Sequence, residues 1–68
     1  MKRIIISDKM IEYRQKNQIT QKELAAQLGV CHQAISKWER CENYPDIIFL
    51  PSIAKILNCS IDDFFVSN

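Results

Sequence analysis

Five side chains able to bond a nucleobase edge or a phosphate fall between residues 32 and 40: His32, Gln33, Ser36, Lys37 and Arg40. At about 100° per residue, Gln33, Ser36, Lys37 and Arg40 share one helix face, with His32 at its N-terminal edge. A glutamine can bond adenine in a two-pronged fashion and a lysine can donate to guanine O6 and N7, which is the chemistry required of a helix in the major groove. The other face carries Ala34, Ile35 and Trp38, with Cys31 at its start, and is expected to meet a core. Trp38 on that face is read as core, not as a platform for unpaired bases.

Other site chemistry finds little support. One histidine, one glycine and no paired acid and base leave no nucleophile elbow and no phosphate-cradling loop, so an enzyme is not expected. Cys31, His32, Cys41 and Cys59 match no zinc spacing, and Cys31 and His32 lie about 100° apart on one helix, so no metal is expected. Three cysteines without a C-x-x-C pair fit reduced, mostly buried thiols of a cytoplasmic chain. No cofactor or small-molecule ligand is evident.

The reading face needs elements to hold it. Sixty-eight residues imply a single domain over 1–68, with no room for a separate catalytic or ligand-binding domain. Thr20 and Glu23 form a Thr-x-x-Glu capping box ahead of a helix that buries Leu24, Ala25 and Leu28. Gly29 can end that helix in the left-handed conformation, and Val30 follows it to plug the angle with the next helix, from about His32 to Arg40. Residues 21–40 are therefore two short helices meeting at a glycine. Ser7 is a candidate N-cap for a first helix from about Asp8 to Asn17, burying Ile6, Met10 and Tyr13. Residues 41–48 read as a loop. Pro51 places the start of a fourth helix near Phe49 or Leu50, running to about Leu57 and burying Leu50, Ile53, Ala54 and Leu57. Ser60, Asp62 and Asp63 favour the start of a last helix anchored by Phe64 and Phe65. The apolar runs Ile4 to Ile6 and Phe64 to Val66 could pair as short strands, and neither is long enough to span a membrane.

A formal net charge of +1 is low for a nucleic-acid binder. Its distribution is uneven: residues 1–22 carry six basic and two acidic side chains, and residues 23–68 three basic and six acidic. Binding is expected to rest on specific contacts more than on bulk attraction.

With these residues in order, the chain resembles the helix-turn-helix family of phage repressors and Cro proteins, also called the XRE family. The resemblance covers about Ile6 to Phe65 and rests on Thr20-Gln21-x-Glu23-Leu24-Ala25, Leu28-Gly29-Val30, Ile35-Ser36-Lys37-Trp38-Glu39-Arg40 and Tyr44-Pro45-Asp46. It implies an all-α fold, a compact five-helix bundle like the lambda-repressor DNA-binding domain. Carried over by position, it implies base-reading roles for His32, Gln33, Ser36 and Lys37. Phosphate contacts are implied for Thr20, Gln21, Arg40, Asn43 and Tyr44, and a structural ion pair for Arg14 with Glu39. Two positions depart from the pattern. Cys31 stands where the family usually has a Ser or Thr cap, at a cost of roughly 1 kcal/mol. Cys41 stands where it usually has Gly, at a similar cost of about 1 kcal/mol if it turns left-handed.

The expected function is sequence-specific double-stranded DNA binding as a transcriptional regulator, a repressor acting as a homodimer on a pseudo-palindromic operator. The alternative is a protein-interaction module of the same fold, such as an antitoxin or antirepressor. Ile11, Ile47, Ile48, Phe65 and Val66 would then supply the partner surface.

Overall fold

Left-handed residues set most of the helix ends. Gln18 (φ 55°), Gly29 (φ 72°) and Asn58 (φ 57°) each close a helix, their amides returning to carbonyls of the last turn. Nothing lies within 4 Å of where a Cβ would stand on Gly29, so the backbone angle alone favours glycine there. The computed structural model describes residues 2–67. Among them are four α-helices: α1 (Ile6–Asn17), α2 (Gln21–Leu28), α3 (His32–Glu39) and α4 (Leu50–Leu57). Two strands, β1 (Lys2–Ile4) and β2 (Phe65–Ser67), join the ends of the fold.

Helix α3 packs against both α2 and α1, and α4 closes the other side of the core. The core consists of Ile6, Met10, Leu24, Ala25, Ile35, Trp38, Ile53, Ala54 and Phe64. Every α-helix contributes at least two of these, so α3 cannot shift without disturbing its neighbours. Phe49 lies tilted against Trp38 with ring centroids 6.1 Å apart and extends the core toward the α3–α4 connection.

The expected fifth helix is a single 3-10 turn, Ile61–Phe64. Phe65 already adopts extended backbone and begins β2, leaving too few residues for an α-helix. The turn keeps a capping contact, with the Ser60 amide donating to the Asp63 carboxylate at 3.0 Å. The fold is thus a helical bundle of four α-helices with a short terminal ribbon.

The terminal runs do pair, antiparallel, with Ile4 opposite Phe65 and Arg3 opposite Val66. Ile6 belongs to α1, and the Ile5 amide donates to the Phe64 carbonyl at 2.8 Å, tying ribbon to helix. Ser7 accordingly does not cap α1. It lies buried in the first turn and donates its hydroxyl to the Trp38 carbonyl at the end of α3. The segment read as a loop to Ile48 contains a further 3-10 turn, Ile47–Phe49, whose Ile48 amide donates to Asp46. Pro51 stands in the first turn of α4, as expected. The thiols are free, but Cys31 and Cys41 are exposed and Cys59 is half-buried, unlike the mostly buried set expected. Cys31 precedes α3 and Cys41 follows it, so neither is carried into the core by the helix's inner face. Among the described residues no helix is long and apolar enough to cross a membrane.

Candidate nucleic-acid interface

Ile35 and Trp38 are fully or nearly buried, which fixes the rotation of α3 about its axis. Gln33 and Lys37 are then exposed, while His32 and Ser36 are half-buried beside them. None of these four side chains makes a hydrogen bond to another described residue. They form one row of donors and acceptors left open to a ligand. Arg40, exposed at the end of the row, bonds the Ser36 carbonyl at 3.3 Å and the Glu42 carboxylate at 2.9 Å.

The start of α2 is built separately. The Thr20 hydroxyl accepts the Glu23 amide at 3.1 Å, and the Thr20 amide donates to the Glu23 carboxylate at 3.0 Å. This reciprocal cap leaves the Gln21 and Lys22 amides open at the positive end of the helix, the arrangement that favours an anion. The Gln21 side chain is not free, because its amide nitrogen donates to Glu39 at 3.0 Å.

Glu39 is the acceptor for two elements at once. Arg14 of α1 bonds both its oxygens, Nε to Oε2 at 2.6 Å and an η nitrogen to Oε1 at 2.7 Å, and a further η nitrogen contact reaches the Ile19 carbonyl. The Glu39 side chain is 5% exposed and that of Arg14 20%. The hydrogen bond to Glu39 raises the Arg14 pKa, burial opposes it, and the charge of Glu39 adds to it. α1, α2 and α3 are therefore joined behind the open row by one polar cluster. The Gln21 link to Glu39 spans 18 residues, and no local spacing signals it.

Beyond α3 the chain turns sharply. Cys41 takes the left-handed conformation (φ 59°), and the Glu42 amide closes back on the Lys37 carbonyl at 3.0 Å. The Cys41 thiol lies 3.2 Å from the Ser7 hydroxyl. Asn43 and Tyr44 are both exposed, and the Asn43 side-chain oxygen accepts the Tyr44 amide. Tyr44 also lines a small apolar groove with Ile4, Ile6 and Pro45.

Two short helices joined at a left-handed glycine, the second buried on one face and open on the other, define a helix-turn-helix domain. The family profile described as helix-turn-helix matches residues 10–64, and the chain belongs to that family, as a Cro/C1-type helix-turn-helix protein. It is 39% identical over 57 residues to the HTH-type transcriptional activator BcrR of Enterococcus faecalis, covering 84% of this chain and 28% of that protein. It is 41% identical over 51 residues to the HTH-type transcriptional regulator DicA of Escherichia coli (strain K12), covering 74% and 38%. The chain thus spans well under half the length of either relative. Among solved structures, the P22 c2 repressor protein in complex with a synthetic operator superposes with a TM-score of 0.80 at 35% identity, covering 88% of this chain and 91% of that one.

Proposed function

We propose that this chain is a sequence-specific double-stranded DNA-binding transcriptional regulator, a repressor that occupies a pseudo-palindromic operator as a homodimer. The observation that carries the reading is the open row on α3. His32, Gln33, Ser36 and Lys37 lack partners among the described residues, while Ile35 and Trp38 hold the helix from behind. Its likeness to a repressor solved with a synthetic operator supports the same reading.

In this reading α3 enters the major groove and the four side chains meet base edges. Gln33 pairs with adenine and Lys37 with guanine, each contact discriminating by about 1 to 3 kcal/mol. The open amides at Gln21 and Lys22, with the Thr20 hydroxyl, take one phosphate. Arg40, Asn43 and Tyr44 take phosphates beyond the other end of α3. The Arg14–Glu39 pair touches no nucleotide and keeps α3 at a fixed angle to α1. One short helix reads only a few base pairs, so two copies on half-sites about one helical turn apart supply the remaining specificity.

The test is selection of binding sites from random duplex DNA. A two-fold motif with A and G in each half-site is the expected result, and equal affinity for scrambled duplex would refute the reading. Gln33→Ala with Lys37→Ala should abolish preference for the selected site without changing the helical circular dichroism. If activity in cells survives that double change, the fold serves protein interaction instead.

A further inference from the structure

Ile47 and Ile48 are 79% and 74% exposed, in a chain whose other aliphatic side chains mostly reach the core. They stand in the 3-10 turn between α3 and α4. Just before them in the chain, Tyr44 and Pro45 form one wall of a groove of about 70 Å³, completed by Ile4, Ile6, Leu50, Phe64 and Phe65. Its lining is almost wholly apolar by residue type, and it has room for the tip of an aliphatic side chain. Tyr44 and Ile4, at its rim, are 51% and 47% exposed. Ile4, Tyr44, Ile47 and Ile48 together leave on the order of 500 Å² of apolar-rich surface to water, more than scattered surface residues account for.

We infer that this surface is the contact between two copies of the chain, the tip of one isoleucine of each copy's Ile47–Ile48 pair entering the Tyr44–Pro45 groove of the other and its neighbour packing on the rim. The inference rests on the DNA-binding reading above and names the face through which its homodimer forms. A two-fold interface requires that projection and recess lie on the same patch, because each copy presents the same surface. Here the projecting pair and the groove are adjacent. The area fits as well: these four side chains supply more than half of the roughly 800 Å² that each partner of a stable complex buries. A formal net charge of +1 adds little repulsion between copies. Size also agrees with the proposed spacing. The molecule measures 33 × 22 × 20 Å, so two copies whose reading helices are about 34 Å apart along DNA lie within contact distance of each other.

The experiment uses the full chain and the two-fold site obtained by selection, together with a duplex carrying a single half-site. Sedimentation and titration compare the wild type with Ile47→Asp/Ile48→Asp and with Ile47→Leu/Ile48→Leu. The aspartate pair is expected to weaken binding to the two-fold site by roughly tenfold or more and to remove cooperativity. Half-site affinity and thermal melting should stay within about twofold and a few degrees of wild type, since both positions are exposed. The leucine pair should behave as wild type. Unchanged cooperativity in the aspartate variant overturns the interface and leaves the DNA reading standing. Loss of half-site binding in a folded aspartate variant also overturns it, because the isoleucines would then contact DNA. Failure to select any two-fold site removes the reading on which the interface depends.

Discussion

Replacing Glu39 with alanine would leave a guanidinium that is only one-fifth exposed and a glutamine amide without their common acceptor. Breaking a buried pair from one side costs about 3 to 5 kcal/mol, and partial exposure of Arg14 lowers this to about 2 kcal/mol. Urea denaturation of Glu39→Ala should show that loss, and Arg14→Ala, which leaves a carboxylate only 5% exposed with the Gln21 amide as its remaining donor, should lose at least as much. Cys41→Gly should act in the opposite direction. The left-handed angle costs a non-glycine residue about 1 to 2 kcal/mol, and the freer unfolded chain of glycine returns about half of it, so a gain of about 0.5 to 1 kcal/mol is expected by the same measurement. Thiol chemistry separates the cysteines further. Burial pushes the Cys59 thiol above its ordinary value, Asp63 adds to the shift and Lys9 opposes it. At neutral pH iodoacetamide should therefore modify Cys31 and Cys41 before Cys59; equal rates at all three would contradict the difference in burial. At this scale the sequence was legible where side chains follow helical period, as for Ile35 and Trp38 against Gln33 and Lys37. It was not legible for Ser7, read as a cap, because the carbonyl that accepts its hydrogen bond lies 31 residues away.

The two helices of the reading unit start on unequal terms. α2 begins with a complete capping box, whereas α3 begins at Cys31 with extended backbone (φ −78°, ψ 153°) and no side-chain cap. That backbone is already the one a serine or aspartate cap uses. Cys31→Ser should therefore stabilise the fold by about 1 kcal/mol, raising the melting temperature by about 4 to 8 °C. Thr20→Ala should lower stability by a similar amount, about 1 kcal/mol, as both are read in one series of thermal melts. Element boundaries were legible where a single residue type governs the backbone, as at Gly29 and Pro51. They failed at the chain ends, where two tendencies compete over the same residues. Asp62 and Asp63 favour a helix start, but Phe65 and Val66 are strand formers, and pairing with β1 satisfies their backbone. The tertiary contact prevails, and only one 3-10 turn remains of the fifth helix.

In the proposed DNA complex, charge decides how the whole molecule approaches the duplex. Six of the nine basic side chains lie in residues 1–22, yet three of these are engaged away from the open row of α3. Arg14 is held by Glu39, and Lys9 and Lys16 line a groove of about 410 Å³ between α1 and the end of α4, with no residue of α2 or α3 in its lining. Lys37 and Arg40 are the cations on the open row, and Arg40 is partly neutralised by Glu42 at 2.9 Å. Two cations per copy in a dimer correspond to a slope of about −4 in log affinity against log salt, since each neutralised phosphate contributes about −0.9. A titration series across salt concentration should return that shallow value. A slope near −8 would place the basic N-terminal third against the backbone as well, and the contacts of α2 would need redrawing. Glu42→Gln isolates the term. Both partners of its pair are more than half exposed, so little stability should change. Releasing Arg40 should nevertheless strengthen DNA binding several-fold at low salt, with the slope staying near about −4 because Arg40 is already one of the two cations counted per copy. If affinity instead stays constant, Arg40 does not reach a phosphate, and the anchor beyond α3 falls to Asn43 and Tyr44.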